Sequence, residues 1–246
     1  MQQVKAIILA AGKGTRLQSE KYDLPKVLRL ADGHPLLYYV LRALDFLPVA
    51  DTVIVAGYMK EKVMDKFSVY PYAIQAEQKG TGHAVQCAED YLRDYDGPVL
   101  VCCGDMPLLQ RETYRALIRE HLASGNTCTF LTGTSDLDLP YGRILRDETG
   151  AFLRVVEDKD CTPEQKAITE LNAGVYVFDC KALLAGLRKL EANNAQGELY
   201  LTDVPEHIRK AGGTIGLCKQ ELGAQIIGVN TPEQLALVED ILRSRR

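Results

Sequence analysis

Two glycines, two basic residues and a threonine crowd into one short stretch, Leu9-Ala-Ala-Gly-Lys-Gly-Thr-Arg-Leu17, directly after an apolar run. Gly12 and Gly14 permit turns that aim successive N–H groups at one anion. The small side chains of Ala10 and Ala11 let a flat base approach the backbone. Lys13, Thr15 and Arg16 add side-chain donors, and arginine suits bidentate contact with phosphate. Ten residues past Arg16, the segment Leu24-Pro-Lys-Val-Leu28 holds Lys26 behind a stiff Pro25. The stretch is not a P-loop, which needs Gly-Lys-Ser/Thr, and it is not Gly-x-Gly-x-x-Gly. A lone Gly-x-Gly reads as an ordinary strand-to-helix turn. The full string with Lys26 downstream reads as a polyphosphate site.

Other side chains offer complementary chemistry. Asp105 follows the apolar run Val99–Cys103 and Gly104. A carboxylate at the end of such a strand is a hard oxygen donor suited to Mg²⁺ with nucleotide phosphates. A turn aspartate between Gly104 and Pro107 is the equal alternative. Gln75 can donate and accept, which matches the edge of a base; standing alone it reads better as a surface glutamine ending a strand. His83 falls in the first turn of a helix of small residues and reads as structural. Glu157 and Asn172 offer an acceptor and an amide, although Glu157 stands in the charge run Glu-Asp-Lys-Asp. Asn193-Asn194 reads as a turn. Asn230 alone is likewise a turn residue before Thr231-Pro-Glu-Gln, an ordinary helix start.

The elements that must position these groups alternate along the chain. Val4–Ala10, Thr52–Ala56, Val99–Cys103 and Thr127–Thr132 read as strands. Leu36–Phe46, Thr81–Leu92 and Glu112–Leu122 carry helical spacing between them. In the second, Ala84, Val85, Ala88, Tyr91 and Leu92 share a face and Thr81 is the expected N-cap. Such alternation implies an α/β fold with a mostly parallel sheet covered on both sides. After about residue 135 the pattern changes. Arg143–Arg146, Phe152–Glu157 and Ala173–Phe178 suggest an antiparallel appendage. The expectation is one domain over 1–246, with a first lobe of about 1–110 plus 214–230. A second lobe spans about 111–213, and a final helix about 231–243, with Leu235, Val238 and Leu242 on one face.

With 246 residues, 46% hydrophobic and 25% charged, the chain has the composition of an ordinary globular protein. A net charge of −4 argues against a bulk nucleic-acid surface. No apolar run reaches membrane-spanning length, and Val4–Ala11 contains Lys5 and lacks the layout of a secretion signal. The chain therefore reads as cytoplasmic. Seven cysteines without a Cys-x-x-Cys pair imply reduced thiols and no disulfide partner.

The phosphate-loop string with the later Pro-Lys resembles the nucleotidyltransferases that activate sugar-1-phosphates. Further segments are similar to the uridyltransferase domain of bacterial GlmU proteins and occur in that family's order over nearly the whole chain. They are Gln75-Ala-Glu-Gln-Lys-Gly-Thr-Gly-His-Ala84, Gly104-Asp-Met-Pro-Leu108, Tyr141-Gly-Arg-Ile144, Val156-Glu-Asp-Lys-Asp160 and Leu171-Asn-Ala-Gly174. Asn193-Asn-Ala-Gln-Gly-Glu-Leu-Tyr-Leu-Thr-Asp203 and Gly228-Val-Asn230 complete the set.

The resemblance implies a Rossmann-like nucleotide-diphospho-sugar transferase fold, with the second lobe binding the sugar. It implies Mg²⁺-dependent transfer of UMP from UTP to N-acetylglucosamine-1-phosphate, a step in cell-envelope precursor synthesis. Arg16 and Lys26 would be the catalytic cations, and Asp105 and Asn230 the metal ligands. Leu9, Ala10, Ala11, Gly12, Lys13, Gly14, Thr15, Gln75, Gly80 and Thr81 would bind nucleotide. Gly142, Glu157, Asn172, Tyr200 and Thr202 would bind sugar. Partners are then UTP and a sugar-1-phosphate, without nucleic acid or membrane, and any homo-oligomer is expected to be weak. The alternatives are another hexose-1-phosphate with a uridylyl or thymidylyl donor, or a non-catalytic nucleotide-sugar sensor. Cys103 departs from the family's usual aromatic residue, Lys79 from an apolar one, and Gln18–Asp23 is slightly longer than usual. No hexapeptide repeat of an acetyltransferase domain occurs, so uridylyl transfer without acetyl transfer is expected.

Overall fold

A computed structural model describes residues 3–134 and 139–245. The point near residue 135 where the pattern is expected to change lies outside them. Strand β1 (Lys5–Ala10) is followed by a hairpin of β2 (Leu30–Ala31) and β3 (His34–Pro35), then α1 (Leu36–Ala43) and β4 (Thr52–Ala56). Next come α2 (Lys60–Lys66), β5 (Tyr72–Ile74), α3 (Thr81–Gln86), β6 (Pro98–Cys103), α4 (Arg111–Ser124) and β7 (Cys128–Gly133). The rest comprises β8 (Arg143–Arg146), β9 (Phe152–Val156), α5 (Pro163–Lys166), β10 (Leu171–Asp179), α6 (Cys180–Leu187), α7 (Val204–Lys210), β11 (Ile215–Gln220) and α8 (Pro232–Ser244).

The main sheet runs β11-β7-β10-β6-β1-β4-β5. Neighbours are parallel except β10, which runs antiparallel between β6 and β7. β1 is nearly all apolar because helices cover both its faces. Its Ala6, Ile8 and Ala10 enter one core layer with Leu37, Val40 and Leu117. Ile7 enters the opposite layer with Val85 and Leu183. The chain leaves β1 to build β4 and β5 on one side, then returns to place β6 on the other. This reversal opens a crevice at the carboxyl ends of β1 and β6, where open α/β sheets bind ligands. Leu9 and Cys103 are partners in register there.

Two expectations need correction. The antiparallel part is no separate appendage, because β10 is a central strand of the main sheet and the β8–β9 hairpin extends from its first residue. A register shift between Asn172 and Tyr176, with Gly174 at φ 69°, lets one strand serve both regions. The helix expected over Thr81–Leu92 ends at Gln86, with a 3₁₀ turn at Glu89–Tyr91. Gly80 is its N-cap, and the Thr81 hydroxyl instead accepts from the Leu201 N–H at 3.0 Å.

The helix after Asn230 forms as expected. Thr231 and Gln234 make a capping box, with Pro232 in the first turn. Its Val238 is buried against Leu17, Leu36, Leu108 and Val229, so α8 braces the back of the phosphate loop.

Candidate active site

The loop after β1 folds on itself through Leu17 N–H to Gly14 C=O at 3.1 Å and Ser19 N–H to the same oxygen at 3.2 Å. Gly14 sits at φ 72°, and a Cβ there would stand 2.7 Å from both Lys26 Cβ and Ser19 Oγ. That close approach presses the loop against the segment carrying Lys26. Gly12, by contrast, has open space around it. The Gly12 and Lys13 N–H groups have no acceptor among the described residues, as an anion-binding loop requires.

Four charged or polar groups far apart in the chain meet beside this loop. The Lys26 ammonium pairs with Asp105 and donates to Asn230 Oδ1 at 2.8 Å. Arg16 donates to the same Asn230 oxygen at 3.2 Å. Lys26 and Asp105 are largely buried, with side chains 14% and 18% exposed. Asp105 follows Gly104, which packs closely against Leu37 and the Leu9 carbonyl, where a Cβ would stand 3.1 and 3.2 Å from them. The Asp105 carbonyl accepts from Val229 N–H at 2.9 Å, tying the ends of the two segments together. Asn230 is oriented in turn by its Nδ2 donating to Gly228 C=O at 3.2 Å, which leaves its oxygen facing the cations. Among the described residues no cluster of three His, Cys, Asp or Glu side chains could hold a metal. Two hard oxygens nevertheless converge on one positive charge, a donor set that fits Mg²⁺ whose other ligands are phosphates and water.

A cavity of about 250 Å³ opens above this cluster. Leu9, Ala10, Ala11, Gly12, Lys26, Gln75, Gly80, Thr81 and Asp105 line it together. Gln75 is 4% exposed. Its Nε2 donates to Gly80 C=O at 3.0 Å and lies 3.1 Å from His83 Nδ1. Both amide hydrogens are therefore occupied, leaving Oε1 as an acceptor. Lys13, Gly14 and Thr15 line neither cavity of the crevice; Gly14 is the structural base of the loop and the other two side chains are exposed.

A second cavity of about 180 Å³ adjoins the first, sharing Leu9, Thr81, Cys103 and Asp105. It is lined by Gly142, Glu157, Asn172, Thr202 and Asn230. Gly142 must lack a side chain, since a Cβ would stand 2.6 Å from Val155. Glu157 accepts from the Thr202 hydroxyl at 2.9 Å, yet burial dominates and raises its pKa. Asn172 donates to the Tyr176 hydroxyl at 2.6 Å and accepts from Gly174 N–H at 3.1 Å. Tyr200 is placed differently from the other sugar candidates. It lines a neighbouring cavity of about 510 Å³ with Asp160 and Asn194, across Glu157. A further cavity of about 460 Å³, with His121 and Asp179, opens at the opposite ends of the strands, beside the amino end of β6, and has none of the loop groups.

The residues alone did not single out three groups. Cys103 forms the wall between the two cavities. Burial raises its pKa, so it is a thiol. Tyr176 lies within the strand expected over Ala173–Phe178, and its hydroxyl reaches the second cavity beside Asn172. Tyr141 donates to Ile226 C=O and accepts from Gly228 N–H, both at 2.7 Å, and so fixes the approach to Asn230. Its place in the Tyr-Gly-Arg-Ile string was the available signal. All seven cysteines are free, and no helix among the described residues is long and apolar enough to cross a membrane.

A glycine-rich loop and a carboxylate thus lie together at the switch point of an α/β sheet, with two adjoining cavities beside them. The chain belongs to the MobA-like NTP transferase domain family, which matches residues 6–200. It is 43% identical over 243 residues to the bifunctional protein GlmU of Streptococcus thermophilus, covering 98% of this chain and 52% of that protein. Over 242 residues it is 43% identical to GlmU of Clostridium novyi, with the same coverage. GlmU of Caldanaerobacter subterraneus is 41% identical over all of this chain. The chain thus spans about half the length of these curated relatives. In fold it is similar to a Bacillus anthracis crystal structure described as a glucose-1-phosphate thymidylyltransferase with sucrose. That likeness has a TM-score of 0.74 and 20% identity, over 98% of this chain and 95% of the other.

Proposed function

We propose that the protein transfers UMP from UTP to N-acetylglucosamine-1-phosphate in the presence of Mg²⁺, releasing pyrophosphate. The observation that carries this is the junction of the two cavities at Lys26, Asp105 and Asn230. A nucleotide in one cavity and a sugar phosphate in the other would meet where the positive charge is concentrated.

The attacking phosphate oxygen is already an anion, so no general base is needed. The difficulty is to bring two polyanions into line and to stabilise the departing pyrophosphate. Arg16 holds the β- and γ-phosphates, assisted by the free N–H groups of the loop. Lys26 turns its ammonium to the transferred phosphoryl group, against which negative charge accumulates in the transition state. Asp105 and Asn230 would hold Mg²⁺, which supplies charge neutralisation to the phosphates when bound. Gln75 Oε1 accepts from the N3–H of uracil; cytosine presents a lone pair at that position and is disfavoured. Asn172, steadied by Tyr176 and Gly174, presents its remaining N–H to the N-acetyl group.

A second proposal is a thymidylyl or uridylyl transferase for another hexose-1-phosphate, since thymine carries the same N3–H and an acceptor at Gln75 does not separate it from uracil. Pyrophosphate release should be measured for UTP, dTTP, CTP and GTP against N-acetylglucosamine-1-phosphate and glucose-1-phosphate, with Mg²⁺ and with chelator. Preference for UTP with the N-acetylated acceptor, lost on chelation, is expected. Release independent of any sugar phosphate would overturn the proposal.

A further inference from the structure

His83 lines neither cavity of the crevice, yet it holds Gln75, the side chain proposed above to read the base. The bond between Gln75 Nε2 and Gly80 C=O fixes which end of the amide is nitrogen, because a carbonyl only accepts. The second amide hydrogen then points at His83 Nδ1, 3.1 Å away. Nδ1 must therefore carry a lone pair toward Gln75, and the ring proton belongs on Nε2, which lies 3.9 Å from Cys87 Sγ. Burial raises the Cys87 pKa, so the sulfur remains a thiol and a weak acceptor for that proton.

The Gly80 anchor of the amide is held firmly by its backbone. Gly80 adopts φ 106°, which aims its carbonyl at Gln75, and a Cβ there would stand 2.5 Å from the Leu199 carbonyl. The adjoining backbone is clamped on both sides by the same residue: Gly82 N–H donates to Leu199 C=O, and Leu199 N–H to Lys79 C=O, each at 2.8 Å. Held at two points, the amide keeps one plane, and Oε1 is its only group left for a ligand. Held at one point, it can pivot about the Gly80 bond. It can also turn over, presenting N–H where the acceptor stood, for the loss of a single hydrogen bond.

We propose that His83 is a positioning residue for base selection, its Nδ1 lone pair locking Gln75 with Oε1 toward the nucleotide. This rests on Gln75 reading the base, as proposed above. The class of ligand it favours is a pyrimidine nucleotide with a protonated N3, against one with a bare N3.

The test compares His83→Leu, His83→Asn and Gln75→Ala in the full chain, measuring kcat and KM for UTP and CTP. Asparagine places an amide oxygen near the position of Nδ1, whereas leucine removes the acceptor. His83→Leu should raise the KM for UTP roughly three- to tenfold, the worth of one such bond. It should narrow the UTP-over-CTP preference by a similar factor and leave kcat for UTP nearly unchanged. His83→Asn should restore both values to within about twofold of the wild type. A packing role alone would lower stability or kcat without moving the UTP-to-CTP ratio. An unchanged ratio in His83→Leu, with Gln75→Ala altered, overturns the role of His83 and leaves the base reading standing. An unchanged ratio in Gln75→Ala overturns the base reading itself, and with it this proposal. Should the leucine variant not fold, His83→Asn still decides, since loss of the UTP preference in a folded asparagine variant refutes the lone-pair lock.

Discussion

Replacing Gly14 with alanine puts the packing of the phosphate loop against Lys26 to a direct test. Gly14 lies at φ 72°, a region that costs an L-residue about 1–2 kcal/mol. The new methyl would stand 2.7 Å from Lys26 Cβ and 2.7 Å from the buried Ser19 Oγ, well inside ordinary contact. Overpacking of this kind adds about 1–3 kcal/mol. The sum is about 2–5 kcal/mol, equivalent in a chain of this length to a fall in Tm of roughly 5–15 °C. The displaced atom is the Cβ of Lys26, so the ammonium should move off Asp105 and Asn230, and kcat/KM should fall by about a hundredfold. Gly12→Ala is the control in the same loop. It meets nothing within 4 Å and has an ordinary φ. Its Tm should stay within about 2 °C of the wild type, while its methyl obstructs the approach of an anion and weakens nucleotide use. The assays are thermal melts and pyrophosphate release on the same preparations. A Gly14→Ala protein that melts with the wild type and keeps its activity would refute the reasoning, as would a Gly12→Ala protein that is the less stable of the two.

Asp105→Asn should reduce turnover by about a hundredfold or more while far-UV circular dichroism stays native, because it removes charge and keeps shape; near-normal activity at ordinary Mg²⁺ would sink the metal assignment. Asn172→Ala should impair use of N-acetylglucosamine-1-phosphate by about 1–3 kcal/mol in kcat/KM, more than that of glucose-1-phosphate. Equal losses on the two acceptors would show that Asn172 does not read the N-acetyl group. Asp203 has its pKa raised from 3.8 to about 6, chiefly by burial and then by Glu206 and Asp160. Its contribution to stability is therefore fully present below pH 4 and lost as pH rises through about 6. Asp203→Asn, neutral throughout, should gain about 1 kcal/mol at pH 8, after allowance for partial exposure, and almost nothing at about pH 3, below the unfolded pKa. Melting curves at both pH values check this, and an equal gain at each would contradict the sign.

Much of the scaffold was legible in short stretches of residues. The apolar run of β1 followed by Gly-x-Gly, the strand before Gly104-Asp105, and the capping box at Thr231 all depend on local periodicity or local hydrogen bonding. Those signals report burial and turn chemistry within a few residues, so they survive without knowledge of partners. The role of β10 was not legible. Alternation shows that a strand is buried, but not which strands it joins, and here one nine-residue strand completes the main sheet and starts the hairpin. Tyr176 lies within the strand expected over Ala173–Phe178; only the register shift near Gly174 brings its hydroxyl to Asn172.

The string around Gly12 and Lys26 was enough to raise the expectation of a polyphosphate ligand, because the needed donors are close in the chain. Only tertiary structure decided how they are armed. Lys26 and Asn230 are separated by 204 positions and meet because Asp105 and Val229 are joined by a backbone bond at the switch point of the sheet. Gln75 becomes an acceptor toward the crevice only because Gly80 and His83 occupy its two hydrogens. A residue type sets which hydrogen bonds a side chain can make. Which one remains for a ligand is set by the partners that folding has already supplied.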